Sequence, residues 1–298
     1  MMGTRPASRM TRQISRVRIT RYEGGFVTGA KKSQQEFPTV VDLSGLMYRV
    51  GTNVFDRTFR GFLQGPNATA TERYFRACTG LAHPIANLLI TRDVDDRELL
   101  SEAVTPLCVD AFPSCVFCLG SPSQEVDALL TGRGFQRAEE LPVMALDIQN
   151  LKATELGDDY TIECVGADRH DLWVDIMAAG YELPRPFADL LGPGVVESIA
   201  QEGEEYHYFL VFHGDRPVAT ATNILRDGIA EVYNISTLPD YRGRGLGGFA
   251  TGEPLRLAAD AGYKTSILQA SQMGTPVYRR LGYESAGVIP FYVRIPGA

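Results

Sequence analysis

The chain has 298 residues, 44% hydrophobic and 22% charged, an ordinary globular composition and enough length for about two domains with a core each. No apolar run approaches the length of a membrane span. The net charge of −7 is uneven: residues 1–32 hold eight Lys/Arg against Glu23 alone, about +7, which leaves about −14 on the rest. An acidic body argues against nucleic acid as a partner and favours cationic, amine-bearing substrates.

The basic arm, residues 1–32, reads as a solvated tail, a strand-forming extension, or the product of an upstream start. Its Arg-rich, acid-poor composition is that of a transit peptide without a clear amphipathic face, and it lacks the apolar core of a secretory signal. Five scattered cysteines, Cys78, Cys108, Cys115, Cys118 and Cys164, are odd in number and form no disulfide framework, so a reducing cytoplasm is expected. The pair Cys115-Val-Phe-Cys118 invites a redox or metal reading. It lies in Ser114–Leu119, a buried strand by pattern, where an offset of three sends the thiols to opposite faces.

An internal repeat is visible. Residues 126–147 laid on 274–295 without gaps align Gly134 with Gly282, Phe135 with Tyr283, Ala138 with Ala286 and Pro142 with Pro290. Each block is read in the same order, strand, helix, Gly-aromatic, strand, and closes what would be one domain. Leu130 falls where the second copy has Tyr278, and the first half has no Arg/Gln-x-x-Gly-x-Gly/Ala anywhere. The expected division is the arm, 1–32, an eroded domain, 33–150, and a second domain, 151–298, joined at Asp147–Leu156. An unrelated α/β first domain is the alternative.

Beyond the joint, Asp168–Tyr181 has the apolar spacing of an amphipathic helix, ended by Pro184 and Pro186, and Arg185–Gln201 reads as a second helix interrupted at Gly192-Pro193-Gly194. Strands follow at Tyr206–His213, Val218–Leu225 and Ala230–Thr237, linked by the tight turns Gly214-Asp-Arg216 and Asp227-Gly228. A glycine loop leads into a helix over Gly248–Ala261. Then come a strand (Ser266–Ala270), a short helix (Gly274–Leu281) and a strand (Val288–Arg294).

The loop Arg242-Gly-Arg-Gly245-Leu-Gly247-Gly248 aims backbone N–H groups and the positive end of a helix dipole at one point, which suits a pyrophosphate. Gly243, Gly245 and Gly248 also spell the dinucleotide fingerprint. That motif requires a strand directly before the first glycine and an acid at the end of the next strand; Leu238–Arg242 intervenes, and Leu268-Gln-Ala-Ser271 has no acid.

Arg242-x-x-Gly245-x-Gly247 after the third of these strands, followed one helix and one strand later by Tyr278-Arg-Arg-Leu-Gly282-Tyr283, resembles the GNAT acetyltransferase superfamily. The resemblance implies an α/β (α+β) fold, here tandem GNAT-like units, each a mixed and mostly antiparallel sheet flanked by helices, with the helical pair 168–201 as one wall of the acceptor site. It implies acetyl-coenzyme A as cosubstrate and no metal. The pyrophosphate would lie on Arg242, Gly243, Arg244, Gly245, Leu246, Gly247 and Gly248, and the pantetheine along Ile235, Ser236 and Thr237. Ser271 stands where family members often carry Asn, which puts that contact in question. Tyr278 is the candidate general acid, or a wall residue on an apolar helix face. Glu231 is the candidate base, or a solvent-facing strand-start carboxylate, with His207 or water in its place. The implied acceptor is an amine of a small molecule or peptide, with no nucleic acid or membrane partner; self-association is left open. A non-catalytic acyl-coenzyme A sensor and a mycothiol-synthase-like acyltransferase are the rivals, although the latter's usual Asn-x-x-Ala run before the Tyr is missing.

Overall fold

The computed structural model describes residues 43–297 except Asp110, Glu139 and 197–202. The basic arm lies outside the described residues. The first half runs α1 (Leu43–Phe62), β1 (Ala68–Ala70), β2 (Tyr74–Cys78), β3 (Asn87–Thr91), α2 (Arg97–Val104), β4 (Ser114–Cys118), α3 (Gln124–Gly132), β5 (Gln136–Arg137) and β6 (Leu141–Asp147). The second runs β7 (Tyr160–Val165), α4 (His170–Tyr181), α5 (Arg185–Asp189), α6 (Pro193–Val196), β8 (Glu205–His213), β9 (Arg216–Arg226), β10 (Ile229–Thr237), α7 (Leu246–Asp260), β11 (Thr265–Gln269), α8 (Thr275–Leu281), β12 (Glu284–Ile289) and β13 (Phe291–Arg294).

The strands form two mixed, mostly antiparallel sheets in the orders β1-β2-β3-β4-β13-β5 and β7-β8-β9-β10-β11-β6-β12. Apart from β7, the second order repeats the first, and among the described residues each sheet has one parallel pair, β3 with β4 and β10 with β11, in equivalent places. The last strand of each half has changed sheets. β6 fills the slot between β11 and β12, and β13 fills the slot between β4 and β5. The joint near residue 150 therefore divides the sequence but not the sheets.

The repeated prolines lie at or just past the two crossings, Pro142 as the second residue of β6. Pro290 is the single residue between β12 in one sheet and β13 in the other, so the expected strand Val288–Arg294 is two short strands. Its carbonyl accepts from Cys118 N at 2.9 Å, and the Pro142 carbonyl accepts from Ala270 N at 2.9 Å. A proline has no N–H to leave unpaired where a strand quits one ladder for another.

α1 stands between the sheets. Phe55 meets Phe117 of the first sheet edge-on at 4.9 Å, and Phe62 meets Tyr233 of the second at 6.1 Å. Residues of both halves thus share one core with Trp173, Tyr208 and Ile224. The β4 thiols part as their spacing requires: Cys115 joins that shared core, and Cys118 joins the cluster under α2 and α3. Burial pushes Cys115 up strongly and Cys118 to about 12, so neither is a reactive thiolate. The helix expected over Arg185–Gln201 is two short helices in its described part, broken at Gly192. Among the described residues no helix is long and apolar enough to cross a membrane.

A chain cut by a protease site inserted at 152–157 should keep its two fragments associated through gel filtration and unfold in one denaturant transition, because each sheet holds a strand of the other fragment. Separation of the fragments without denaturant would contradict the exchange.

Candidate active site

β10 and β11 are paired at only three positions, Ile229 with Thr265, Ala230 with Ser266 and Glu231 with Ile267. Beyond them β10 stays on β9, through Ser236 with Thr220 and Thr237 with Ala219, and β11 stays on β6, through Leu268 with Met144 and Gln269 with Val143. The two parallel strands diverge, leaving one edge of residues 232–237 unpaired within the sheet. The divergence coincides with a bulge between Tyr233 and Ser236, where Asn234 takes φ 53°. Asparagine tolerates that left-handed geometry, and its Nδ2 holds the kink by donating to Thr222 Oγ1 at 3.1 Å. Across the gap, Tyr233 Oη donates to Gln269 Oε1 at 2.8 Å, and Gln269 Nε2 donates to Gly51 O of α1 at 3.0 Å.

The glycine loop closes the mouth of this cleft. Gly245, at φ 85°, is the N-cap of α7 and offers no side chain to the first-turn N–H groups, and that turn carries no acid. A β-carbon at Gly247 would sit 3.8 Å from Val277 of α8 and 3.9 Å from Ile235 of β10, so loop, helix and strand converge here. Leu246 is buried beneath, in the cluster with Phe249 and Ala250. The equivalent turn after β3 is the opposite in character. It reads Arg92-Asp-Val-Asp-Asp96, α2 is capped by Asp96 accepting from Leu99 N at 3.0 Å, and β3 and β4 stay paired as far as Thr91 with Cys118. Leu130, in the place of Tyr278, is buried in the first-half core.

Tyr278 lies on α8, half-buried, its ring edge-on to Tyr283 at 5.8 Å. Burial pushes its phenol well above 10.0, and the phenols of Tyr181 and Tyr283 add to the shift. Ser271 is engaged locally, its Oγ accepting from Gly274 N at 3.1 Å at the start of α8. Ser236 turns to the other face of the sheet and donates to the α4 carbonyls of Met177 at 3.3 Å and Ile176 at 3.4 Å. Arg244 lies over the Tyr241 ring at 4.7 Å and donates to Asp240 O at 2.9 Å. The Arg242 guanidinium is committed to α4, donating to Gly180 O at 2.7 Å with Glu182 at 3.5 Å.

Glu231 differs most from its sequence reading. It is fully buried, neither solvent-facing nor open to an incoming amine. Oε1 pairs with Arg226 Nε, while Oε2 accepts from Arg226 at 2.6 Å and from Thr58 Oγ1 of α1 at 2.8 Å. Burial raises its carboxyl against the pull of Arg226 and Thr58. Arg226 also reaches Glu204 at 3.0 Å, and Arg57 of α1 pairs with Glu204 and Asp227. This network ties α1 to the β9–β10 hairpin, the work of an anchor and not of a base. His207 is on β8, separated from β10 by β9, with Nε2 3.4 Å from Glu205. Tyr233, Asn234, Gln269 and Tyr181 were not picked out from sequence; an Asn inside a strand pattern was the one available signal, since it marks a left-handed bulge. Among the described residues, no group of three His/Cys/Asp/Glu could hold a metal ion.

Comparison with known proteins bears on this arrangement. The acetyltransferase (GNAT) family model matches residues 173–283, the span from α4 through α8. That match places a GNAT acetyltransferase domain in the second half. It is 30% identical over 87 residues to the uncharacterized N-acetyltransferase YjcF of Bacillus subtilis (strain 168), a match covering 29% of this chain and 62% of that relative. Likeness of fold to solved structures extends over both halves. A GCN5-related N-acetyltransferase from Kribbella flavida superposes with TM-score 0.58 at 18% identity, covering 84% of this chain and 96% of its own. A tandem GNAT protein from the clavulanic acid biosynthesis pathway gives 0.52 at 12% identity, covering 82% and 88%.

Because Arg226 is as buried as its partner, Glu231→Gln should cost about 3 kcal/mol of stability by leaving a buried guanidinium underpaired. The double variant Arg226→Met/Glu231→Leu should recover most of it. Denaturant titration checks both, and an unchanged midpoint in Glu231→Gln would contradict the anchor role.

Proposed function

We propose that the protein transfers an acetyl group from acetyl-coenzyme A to an amine of a small molecule or peptide, at one site in residues 151–298. The observation that carries this reading is the contrast between two equivalent places in the fold. Where β10 leaves β11, the helix that follows is uncapped and glycine-rich; where β3 meets β4, the strands stay paired and the helix is capped by its own carboxylate. An anion is attracted to the first place and repelled from the second. In this reading residues 33–150 are a GNAT-like unit that has lost its donor site and serves the other half through α1 and β6. Five free thiols support a reducing compartment such as the cytoplasm.

In the proposed mechanism the backbone N–H groups of Gly243–Gly248 hold the pyrophosphate, with Arg244 adding charge, and the pantetheine lies along the unpaired edge of Ile235–Thr237. N–H groups at the bulge stabilise the oxyanion that forms when the amine nitrogen attacks the thioester carbonyl. The C–N bond forms, the C–S bond breaks, and the Tyr278 phenol delivers a proton toward the departing thiolate, to be replenished from solvent. The ammonium proton leaves through water, since Glu231 is sealed in its ion pair. A phenol held well above 10.0 stays protonated over the working range. Rate should therefore rise with pH as the acceptor amine loses its proton, with no decline from Tyr278 below about pH 10.

Calorimetry with coenzyme A should give one site per chain. Gly245→Val should abolish it in a folded protein, because φ 85° disfavours a branched side chain and a β-carbon there would meet Thr154 at 3.2 Å. Two equivalent sites, or full affinity in Gly245→Val, would overturn the assignment. Tyr278→Phe should lower turnover by about 100-fold with little change in donor affinity. Full activity would make the phenol a wall and leave proton delivery to water.

A further inference from the structure

The first arginine of the glycine loop does not serve the loop alone. Arg242 Nη2 donates to Gly180 O at 2.7 Å and lies 3.5 Å from Glu182, which places its guanidinium on the last turn of α4. That end is built to be held. Glu182 takes the left-handed conformation, φ 58°, ending the helix; the N–H groups of Glu182 and Leu183 close on Ala178 O, and the Gly180 carbonyl beyond it accepts from Arg242 instead. Gly180 lies so close to β10 that any side chain would collide with Ser236 Oγ, and a β-carbon there would be 3.0 Å from Thr237 N. Ser236 in turn donates to the carbonyls of Ile176 and Met177. The α4 terminus is thus pinned from below by the bulged strand and from the side by the glycine loop.

Between Gly180 and Glu182 is Tyr181, 43% exposed and one of four large apolar side chains exposed to that degree among the described residues. Its phenol is close enough to Tyr278 to shift it electrostatically. Tyr181 thus sits on the turn that Arg242 holds, at the end of α4 that packs on Ser236 and Thr237 of β10.

We infer that Arg242 is a positioning residue that couples the donor loop to the last turn of α4, one wall of the proposed acceptor site, and that its side chain is not a phosphate ligand. This rests on the donor site proposed above. Filling the loop restrains Arg242, and Arg242 restrains the last turn of α4.

Hydrogen–deuterium exchange of the full chain tests this, comparing wild type, Arg242→Met and Arg242→Lys, each with and without coenzyme A, alongside calorimetry. Without ligand, residues 176–183 should exchange faster in Arg242→Met, and Arg242→Lys should restore part of the protection. With coenzyme A, wild type should gain protection both at 243–248 and at 176–183. Arg242→Met should keep the first, with affinity within about threefold of wild type, and lose the second. A tenfold or greater loss of affinity in Arg242→Met, with exchange at 176–183 unchanged, would make the guanidinium a phosphate ligand and overturn the inference. Failure of wild type to bind coenzyme A would overturn the donor site and the coupling with it, while the ligand-free comparison would still decide whether Arg242 holds α4.

Discussion

Everything at the candidate site depends on how β11 is held. A strand that parts from one neighbour exposes a row of unpaired backbone groups, and it stays in a sheet only if its other edge is fully paired. β6 supplies that edge, opposing β11 at all five of its residues, from Thr265 with Asp147 to Gln269 with Val143. β6 comes from the other half of the chain. The cleft in the second half is therefore built with a strand of the first, and the first half takes β13 in return.

Exchange alone does not open a cleft. β4 is flanked by β13 in the same way, yet it remains paired with β3 to its last residue. The difference lies in β10, which runs from Ile229 to Thr237, kinks at Asn234 and leads into a glycine loop; β3 ends at Thr91, and an acidic turn follows. Both halves share one topology, and a few residues after the parallel strand decide which half suits an anionic donor. The first half then contributes in another way. Thr58, Gly51 and Phe62 of α1 all meet residues of β10 or β11, so its helix forms one face of the second half's sheet.

Much of this was legible in the sequence. Tight turns at 214–216 and 227–228 gave antiparallel strands, and the spacing of the glycine loop from Tyr278-x-x-x-Gly282-Tyr283 carried the family. The gap-free match of Pro142 with Pro290 pointed to a repeat, but not to what the prolines do. Alternating side chains in β6 look the same whichever sheet receives the strand, so the exchange had no signal in the pattern. Glu231 illustrates a second limit. Its place at the start of a strand fits a base or a solvent-facing carboxylate equally well, and Thr58, which helps to seal it, lies 173 residues away. Arg242 is similar: its partner carbonyl on Gly180 is 62 residues off and is a backbone atom, which no side-chain pattern reveals.

The most direct test of the central claim is a crystal structure of the full chain grown with acetyl-coenzyme A. The account predicts one donor per chain, its pyrophosphate on the N–H groups of 243–248 and its thioester between β10 and β11 near Asn234, with nothing bound beside Asp93–Asp96. A donor seated at the first sheet, or one whose phosphates lie away from the glycine loop, would contradict it.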